Sequence, residues 1–265
     1  MNINQESLLK LCNIAIDAGL IINKHYNADI KVSYKYDKSP LTTADLESNN
    51  YIIKSILNLY PEIPILSEES LVDWNIRKNW ETYWLIDPLD GTKEFINKNN
   101  EFTVNISLIK NNLPYLGIIY APALGRLYYS KKNEGSYKIN SFKRIYSLSK
   151  SSSLKVSTKK PSDQINIVQS RSHSNEKLVS WIKKNIQNYK ILKKGSSLKF
   201  CDIAEGKADF YPRFGPTSEW DIAAGHMILL EAGGELKTID DKKILYNLKE
   251  DIKNPDFIAT CKLIV

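Results

Sequence analysis

At 265 residues, 42% of them hydrophobic, the chain can bury a sizeable core, in one large domain or two closely packed halves. Its 37 Lys and Arg against 30 Asp and Glu give a net charge of +7, but the basic residues are spread over surface-type positions such as Lys131, Lys132, Lys183 and Lys184, which argues against a nucleic-acid footprint. Three dispersed cysteines (Cys12, Cys201, Cys261) exclude a disulfide framework and a zinc cluster, no run approaches the roughly 20 apolar residues of a membrane span, and a soluble, cytoplasmic protein is expected.

Residues 5–26 carry Leu8, Leu11, Ile14, Ala15, Ala18, Ile21 and Ile22 at helical spacing and predict a long amphipathic helix. Residues 31–36 alternate, as a strand does. Thr43 is the expected N-cap of a second helix, which carries 49–59 and closes at Pro61. A short apolar segment, 63–67, runs into Glu68-Glu69, and 74–80 reads as a loop or short helix. The run 83–86 predicts a short strand buried on both faces, stopped by Asp87-Pro88 and Asp90-Gly91, dipeptides that turn a chain. A helix is expected to start near Gly91, because Phe95 and Ile96 return at helical spacing.

Residues 102–130 read as an antiparallel meander with strands at 102–109, 116–121 and 127–130, followed by another at 137–139. The Ser/Lys-rich stretch 150–163 is the best boundary and divides 1–149 from 150–265, although 154–157 can also pair into a sheet. Beyond it come strand 165–169, helix 175–184, strand 189–193, helix 198–205 and strand 208–211. A helix over 220–232 then stops at Gly233-Gly234, and a strand at 258–260 closes a sheet. The whole reads as an α/β fold in layers, antiparallel-rich early and mixed later.

Asp87 and Asp90 end a buried strand beside open helix amides. Like charges that close push one carboxylate towards its neutral form unless a cation lies between them, and a helix N-terminus is a ready phosphate site. That pairing suggests metal-assisted phosphoryl chemistry. The same residues also make a plain turn after a strand. Glu68-Glu69, Asp45 and Asp221 have equally ordinary readings, as a solvated face or as first-turn acids favoured by a helix dipole. What they share is position, each at the end of an element, where a sheet can deliver them to one place.

Glu68-Glu69, Asp87-Pro88-Leu89-Asp90-Gly91-Thr92 and Trp220-Asp221-Ile222-Ala223-Ala224-Gly225 resemble the three signatures of the inositol monophosphatase superfamily, magnesium-dependent and lithium-sensitive phosphatases. The similarity covers nearly the whole chain. Tyr83-Trp84-Leu85, Lys93-Glu94-Phe95, Glu101-Phe102-Thr103-Val104-Asn105, Gly195-Ser196-Ser197-Leu198-Lys199-Phe200-Cys201 and Tyr211-Pro212-Arg213-Phe214-Gly215-Pro216 resemble its bacterial bisphosphate-nucleotidase branch. Asn100 departs from it, since relatives often carry Gly there.

The resemblance implies the superfamily's alternating helix and sheet layers and removal of the 3′-phosphate of adenosine 3′,5′-bisphosphate, in support of sulfate assimilation. It implies two Mg²⁺ ions, with Glu69 placed to hold a third through water. Glu68, Asp87 and the Leu89 carbonyl would hold the first ion, and Asp87, Asp90 and Asp221 the second. The segment from Pro88 to Thr92 would face the scissile phosphate, with the Gly91 and Thr92 amides offered to it. Asp45 and the Thr92 hydroxyl would orient and deprotonate the attacking water. His173, Ser196, Lys199 and Arg213 would contact the rest of the nucleotide. A small-molecule nucleotide is the partner implied, without an obligate protein partner, and branch relatives can associate loosely with the inner face of a membrane.

Two rivals stand beside this reading. One is an inositol monophosphatase or sugar-phosphate phosphatase of the same superfamily. The other is a basic nucleic-acid-binding module with a degenerate site, against which the presence of all five carboxylates argues. His226 reads as a packed residue, His25 as a partner of the first helix's last carbonyls, and Trp84, Trp220 and Phe102 as core. The lack of GxxxxGK[ST], HExxH and GxSxG patterns leaves NTPase, zinc-protease and serine-hydrolase readings without support.

Overall fold

Apolar residues recur every three to four positions in some segments and every second position in others, and the elements follow that division. A computed structural model describes residues 3–28, 32–34, 40–160, 162–171 and 176–263. Its helices are α1 (Gln5–Tyr26), α2 (Thr43–Leu59), α3 (Trp74–Arg77), α4 (Thr92–Ile96), α5 (Glu176–Asn185), α6 (Leu198–Ala204) and α7 (Glu219–Glu231). The large sheet runs, in spatial order, Ile65–Ser67, Thr82–Asp90, Thr103–Lys110, Leu113–Ala121, Arg126–Lys131, Ser136–Asn140 and Ser152–Ser153. Only its first pair is parallel. The small sheet is mixed, in the order Tyr189–Lys194, Ile165–Ser170, Phe210–Arg213, Phe257–Thr260 and Glu235–Thr238.

These elements stack as five alternating layers. Helices α1 and α2 cover one face of the large sheet, α6 and α7 lie between the two sheets, and α5 covers the outer face of the small one. The strand Thr82–Asp90 shows the division most clearly. Trp84 and Ile86 join the core under α1 and α2, while Tyr83 and Leu85 join the core around α6 and α7. Helix α7 is buried on almost every side, from Trp220 through Leu229, because it is sandwiched between sheets. Among the described residues no helix is long and apolar enough to cross a membrane, and all three cysteines are buried free thiols.

The layered α/β fold matches the sequence expectation, with local differences. Helix α2 is capped by Thr42, not Thr43, because Thr42 has the extended backbone of a cap (φ −120°, ψ 167°). Of the strand expected at 31–36, Val32–Tyr34 pairs with Pro40–Thr42, while 31, 35 and 36 lie outside the described residues. Residues 154–157 do not themselves form a strand. Pairing occurs on either side, at Ser152–Ser153 in the large sheet and at Thr158–Lys159 against Lys262–Leu263. The strand placed at 208–211 lies at Phe210–Arg213, and Glu235–Thr238 was not foreseen, since Leu236 is its one buried residue.

Gly117 marks how closely α7 approaches the large sheet. A Cβ on this strand residue would lie 2.4 Å from the Ala224 carbonyl oxygen and 3.0 Å from the Met227 Cβ. Neither backbone can give way without unpacking a layer. Gly117→Ala is therefore expected to lower stability by about 1–3 kcal/mol, read as a reduced urea midpoint at unchanged m-value.

Candidate active site

Strand pairing puts the first two acids side by side. Ile65–Ser67 runs parallel to Thr82–Asp90 with Ser67 opposite Ile86, and the Glu68 N–H donates to the Ile86 carbonyl at 3.1 Å, so Glu68 follows into the place beside Asp87. The strand does not end at residue 86. It continues to Asp90 through a bulge, in which Asp87 lies opposite Asn105 and Asp90 opposite Thr103, so that Pro88 and Leu89 stand against Val104 alone. Residues three apart on an unbroken strand face opposite ways, and the extra residue brings both carboxylates to the same cleft. Pro88, which has no N–H to lose, and Leu89 fill the bulge with buried side chains. The Ser48 hydroxyl donates to the Pro88 carbonyl at 2.8 Å, and the Leu89 N–H donates to Asp87 Oδ1 at 3.1 Å. Gly91 then turns the chain into α4 at φ +89°, where a Cβ would sit 3.2 Å from the Glu101 carbonyl.

The other two acids arrive on helices, each as the third residue. Thr42 donates to Asp45 Oδ2 from its N–H at 2.7 Å and its hydroxyl at 2.6 Å. The Ser218 N–H donates to Asp221 Oδ2 at 2.8 Å. The helix-start reading of both aspartates thus holds, and each cap engages one named oxygen. Asp45 Oδ1 accepts from the Thr92 hydroxyl at 3.3 Å. Glu68, Asp87 and Asp221 each bring an oxygen within 4.8 Å of the others. Asp90 stands outside that triplet, its Oδ2 accepting from the Ser197 N–H at 2.6 Å and from the Asn105 amide at 3.4 Å.

Glu68, Asp87, Asp90, Gly91, Thr92 and Asp221 line a cleft of about 220 Å³ that Lys199 and Arg213 line as well. Lys199 on α6 is buried, donates to the Ser196 carbonyl and lies 5.2 Å from the centre of the Tyr211 ring. Arg213 is buried at the end of its strand and donates from Nη2 to the Pro216 carbonyl at 2.9 Å, while its buried Nε has no partner among the described residues. Ser196 reaches the cleft at φ +48°. His173 lies outside the described residues.

Sequence reasoning gave no role to Thr103, Asn105 and Ser197. All three are buried and hydrogen-bonded to one another at 2.8–3.1 Å, and the last two hold Asp90. For Thr103 and Asn105 the available signal was polar residues alternating with apolar ones along a strand; Ser197, at the cap of α6, offered none. His226 is a core residue, as expected, its Nδ1 2.9 Å from the Tyr246 hydroxyl and its pKa pushed down to about 3 by burial. His25 was misjudged. It meets the Glu47 carboxylate at 2.9 Å, because α2 lies alongside α1.

The cluster is electrostatically strained without a cation. Burial, then Glu68, Asp90 and Asp221, push the Asp87 carboxyl well above the usual range. Asp221 rises to about 8 through burial, then Asp90 and Glu68, against the Ser218 amide. Asp90 rises to about 6, with burial outweighing Lys199 and the Ser197 amide. Burial also lowers Lys199 to about 8, against the pull of Asp90. An all-oxygen set of converging carboxylates with raised pKa values fits a hard divalent cation such as Mg²⁺.

A sequence model of the inositol monophosphatase family matches residues 4–262. The chain is 45% identical to the 3′(2′),5′-bisphosphate nucleotidase CysQ of Buchnera aphidicola, over 98% of this chain and 95% of that protein. It is 40% identical to the protein of the same name from Salmonella typhimurium, over 96% and 99%. Among solved structures, CysQ from Bacteroides thetaiotaomicron, described as a bacterial member of the inositol monophosphatase family, superposes with a TM-score of 0.83 at 39% identity over 97% of this chain and 98% of that one.

The raised carboxyl pKa values fix the sign of a pH effect. A carboxyl whose folded pKa exceeds its unfolded value of about 4 contributes stability at low pH that is lost as pH rises through the folded pKa. For Asp221 that loss runs from about pH 4 to about pH 8. The metal-free protein, held in chelator, should therefore melt at progressively lower temperature from pH 5 to pH 8.5, and Mg²⁺ should flatten the decline. Asp87→Asn should melt above the unmutated protein at pH 8 in chelator. A melting temperature that climbs over this pH range would contradict the arrangement.

Proposed function

The chain belongs to the inositol monophosphatase family, and from that premise we propose that it is a 3′(2′),5′-bisphosphate nucleotidase, a magnesium-dependent phosphatase converting adenosine 3′,5′-bisphosphate to AMP and phosphate in support of sulfate assimilation. The observation that carries the choice of substrate is a cleft lined by both converging acids and two buried cations. Acidic oxygens converge in it, and it is also lined by a buried Lys199 and by a buried Arg213 with an unpartnered Nε. A substrate with two phosphates answers both the metal-type acids and the cations. A substrate with one phosphate leaves the buried Arg213 Nε without a partner.

In this reading Glu68, Asp87 and the Leu89 carbonyl would hold one Mg²⁺, and Asp87, Asp90 and Asp221 would hold a second. When bound, the ions offset the carboxylate charge and stabilise the charge that builds on the phosphoryl oxygens. The chain's own residues do the rest. The Gly91 and Thr92 amides, at the entrance to α4, receive the scissile phosphate. Asp45, whose Oδ2 is held by Thr42, keeps Oδ1 towards Thr92 and takes the proton of the attacking water there. Attack forms the new P–O bond, the P–O3′ bond breaks, and a proton from solvent completes the ribose hydroxyl. His173 and Ser196 belong to the nucleotide end of the same proposal. So does a division near residue 150, since Glu68, Asp87 and Asp90 come from the first part of the chain and Lys199 and Arg213 from the second. Three buried thiols support a reducing, intracellular setting.

The test is phosphate release from adenosine 3′,5′-bisphosphate and from inositol 1-phosphate, with and without Mg²⁺. Release should require Mg²⁺ and favour the bisphosphate, and Asp87→Asn should abolish it. A charge-assisted hydrogen bond contributes about 1.5–3 kcal/mol. Lys199→Ala and Arg213→Ala should therefore each lower kcat/KM for the bisphosphate by about ten- to a hundredfold and leave the monophosphate nearly unchanged. Equal losses on both substrates, or none, would favour the sugar-phosphate reading.

A further inference from the structure

Lys199 is held by a turn, and the turn is anchored at both ends. At its far end Ser197 is fixed by Asp90, Thr103 and Asn105. At its near end the Gly195 N–H donates to Glu101 Oε2 at 2.8 Å. Between them lies Ser196, whose left-handed backbone (φ +48°) points its carbonyl to the Lys199 ammonium.

Glu101 does more than accept that amide. Arg171, at the end of the strand Ile165–Ser170, donates to it from Nε at 3.1 Å and Nη2 at 3.0 Å, and Lys194 lies 3.6 Å away. Its side chain is 12% exposed. Burial works upward on its pKa, but Arg171, the Gly195 amide and Lys194 outweigh it and hold the carboxyl below the usual range. The packing is tight as well, since a Cβ on Gly195 would lie 2.8 Å from the Glu101 carbonyl oxygen. One carboxylate from the loop before Thr103–Lys110 thus gathers the ends of two small-sheet strands.

We infer that Glu101 is a positioning residue for substrate selection: by gathering Arg171, Lys194 and the Gly195 amide it sets the turn whose Ser196 carbonyl aims Lys199 at the non-reacting phosphate. This rests on the two-phosphate reading above. Loss of Glu101 frees the Gly195 end of the turn, while the Asp90 end keeps its own hydrogen bonds to Asn105 and Ser197. Its effect therefore falls on binding of the second anion and not on the reacting end.

The experiment compares KM and kcat of Glu101→Ala, Glu101→Gln and Arg171→Ala with the unmutated enzyme, on adenosine 3′,5′-bisphosphate and on inositol 1-phosphate at saturating Mg²⁺. Glu101→Ala should raise KM for the bisphosphate about tenfold, with kcat within about threefold and the monophosphate unchanged. Glu101→Gln, which keeps an acceptor for the Gly195 amide, should recover part of that loss. Should Glu101→Ala not fold, Glu101→Gln and Arg171→Ala, the latter at a 44% exposed side chain, decide the matter with smaller rises of the same pattern. A bisphosphate preference that survives in all folded variants, or equal losses on both substrates, overturns the inference alone. No bisphosphate preference in the unmutated enzyme overturns the two-phosphate reading and the inference with it.

Discussion

Like charges held close together in a buried notch are the condition to which much of this structure answers. Two carboxylates at the 4.8 Å limit repel by roughly 3–4 kcal/mol at an effective dielectric of about 20. A domain is stable by only about 5–15 kcal/mol, so such terms are a large fraction of the whole. The chain tempers the repulsion with what lies at hand. Asp45 and Asp221 sit in the first turns of helices, where the dipole favours negative charge, and Asp90 takes an amide from Ser197. Lys199 stands close enough to oppose the rise in the Asp90 pKa. What remains is the attraction for a cation.

The apolar layers give that notch its rigidity. Asp221 is carried by a helix with almost no exposed side, so its position follows from the packing of both sheets. Glu68 and Asp87 are carried by adjacent parallel strands, and their spacing follows from the ladder. Carboxylates on free loops would swing apart under their own repulsion. On these elements, moving apart requires unpacking a core.

Much of the fold was legible because the apolar period is plain in α1 and in the meander of the large sheet, and because an apolar run stopped by Gly233-Gly234 marks α7. The strand through Asp87 was cut short because Asp-Pro and Asp-Gly signal turns locally. Its continuation depends on the partner strand Thr103–Lys110, which no local window contains. Glu235–Thr238 offered a single buried residue and so no period. The acids of the cleft drew notice by their positions at element ends and by family resemblance, but their convergence is a tertiary fact. Asn105 and Ser197 were silent for a related reason. Each is an ordinary polar residue until the other, 92 positions away, is seen against it. Glu101 was quoted as part of a motif, yet its partners Arg171 and Gly195 come from strands far along the chain.

The bulge between Asp87 and Asp90 acts as a half-step change of phase in the sheet. Upstream, even-numbered residues face α1 and α2; past the extra residue the parity is exchanged, and Asp90 shares the side of Asp87. The irregular pairing across Pro88 and Leu89 is therefore what places the two acids together. Regular pairing through this segment with both residues kept would turn Asp90 into the apolar layer behind Trp84 and Ile86. A segment that by its residues reads as a turn is thus held in the sheet by an irregular pairing on which the shared side of the two carboxylates depends.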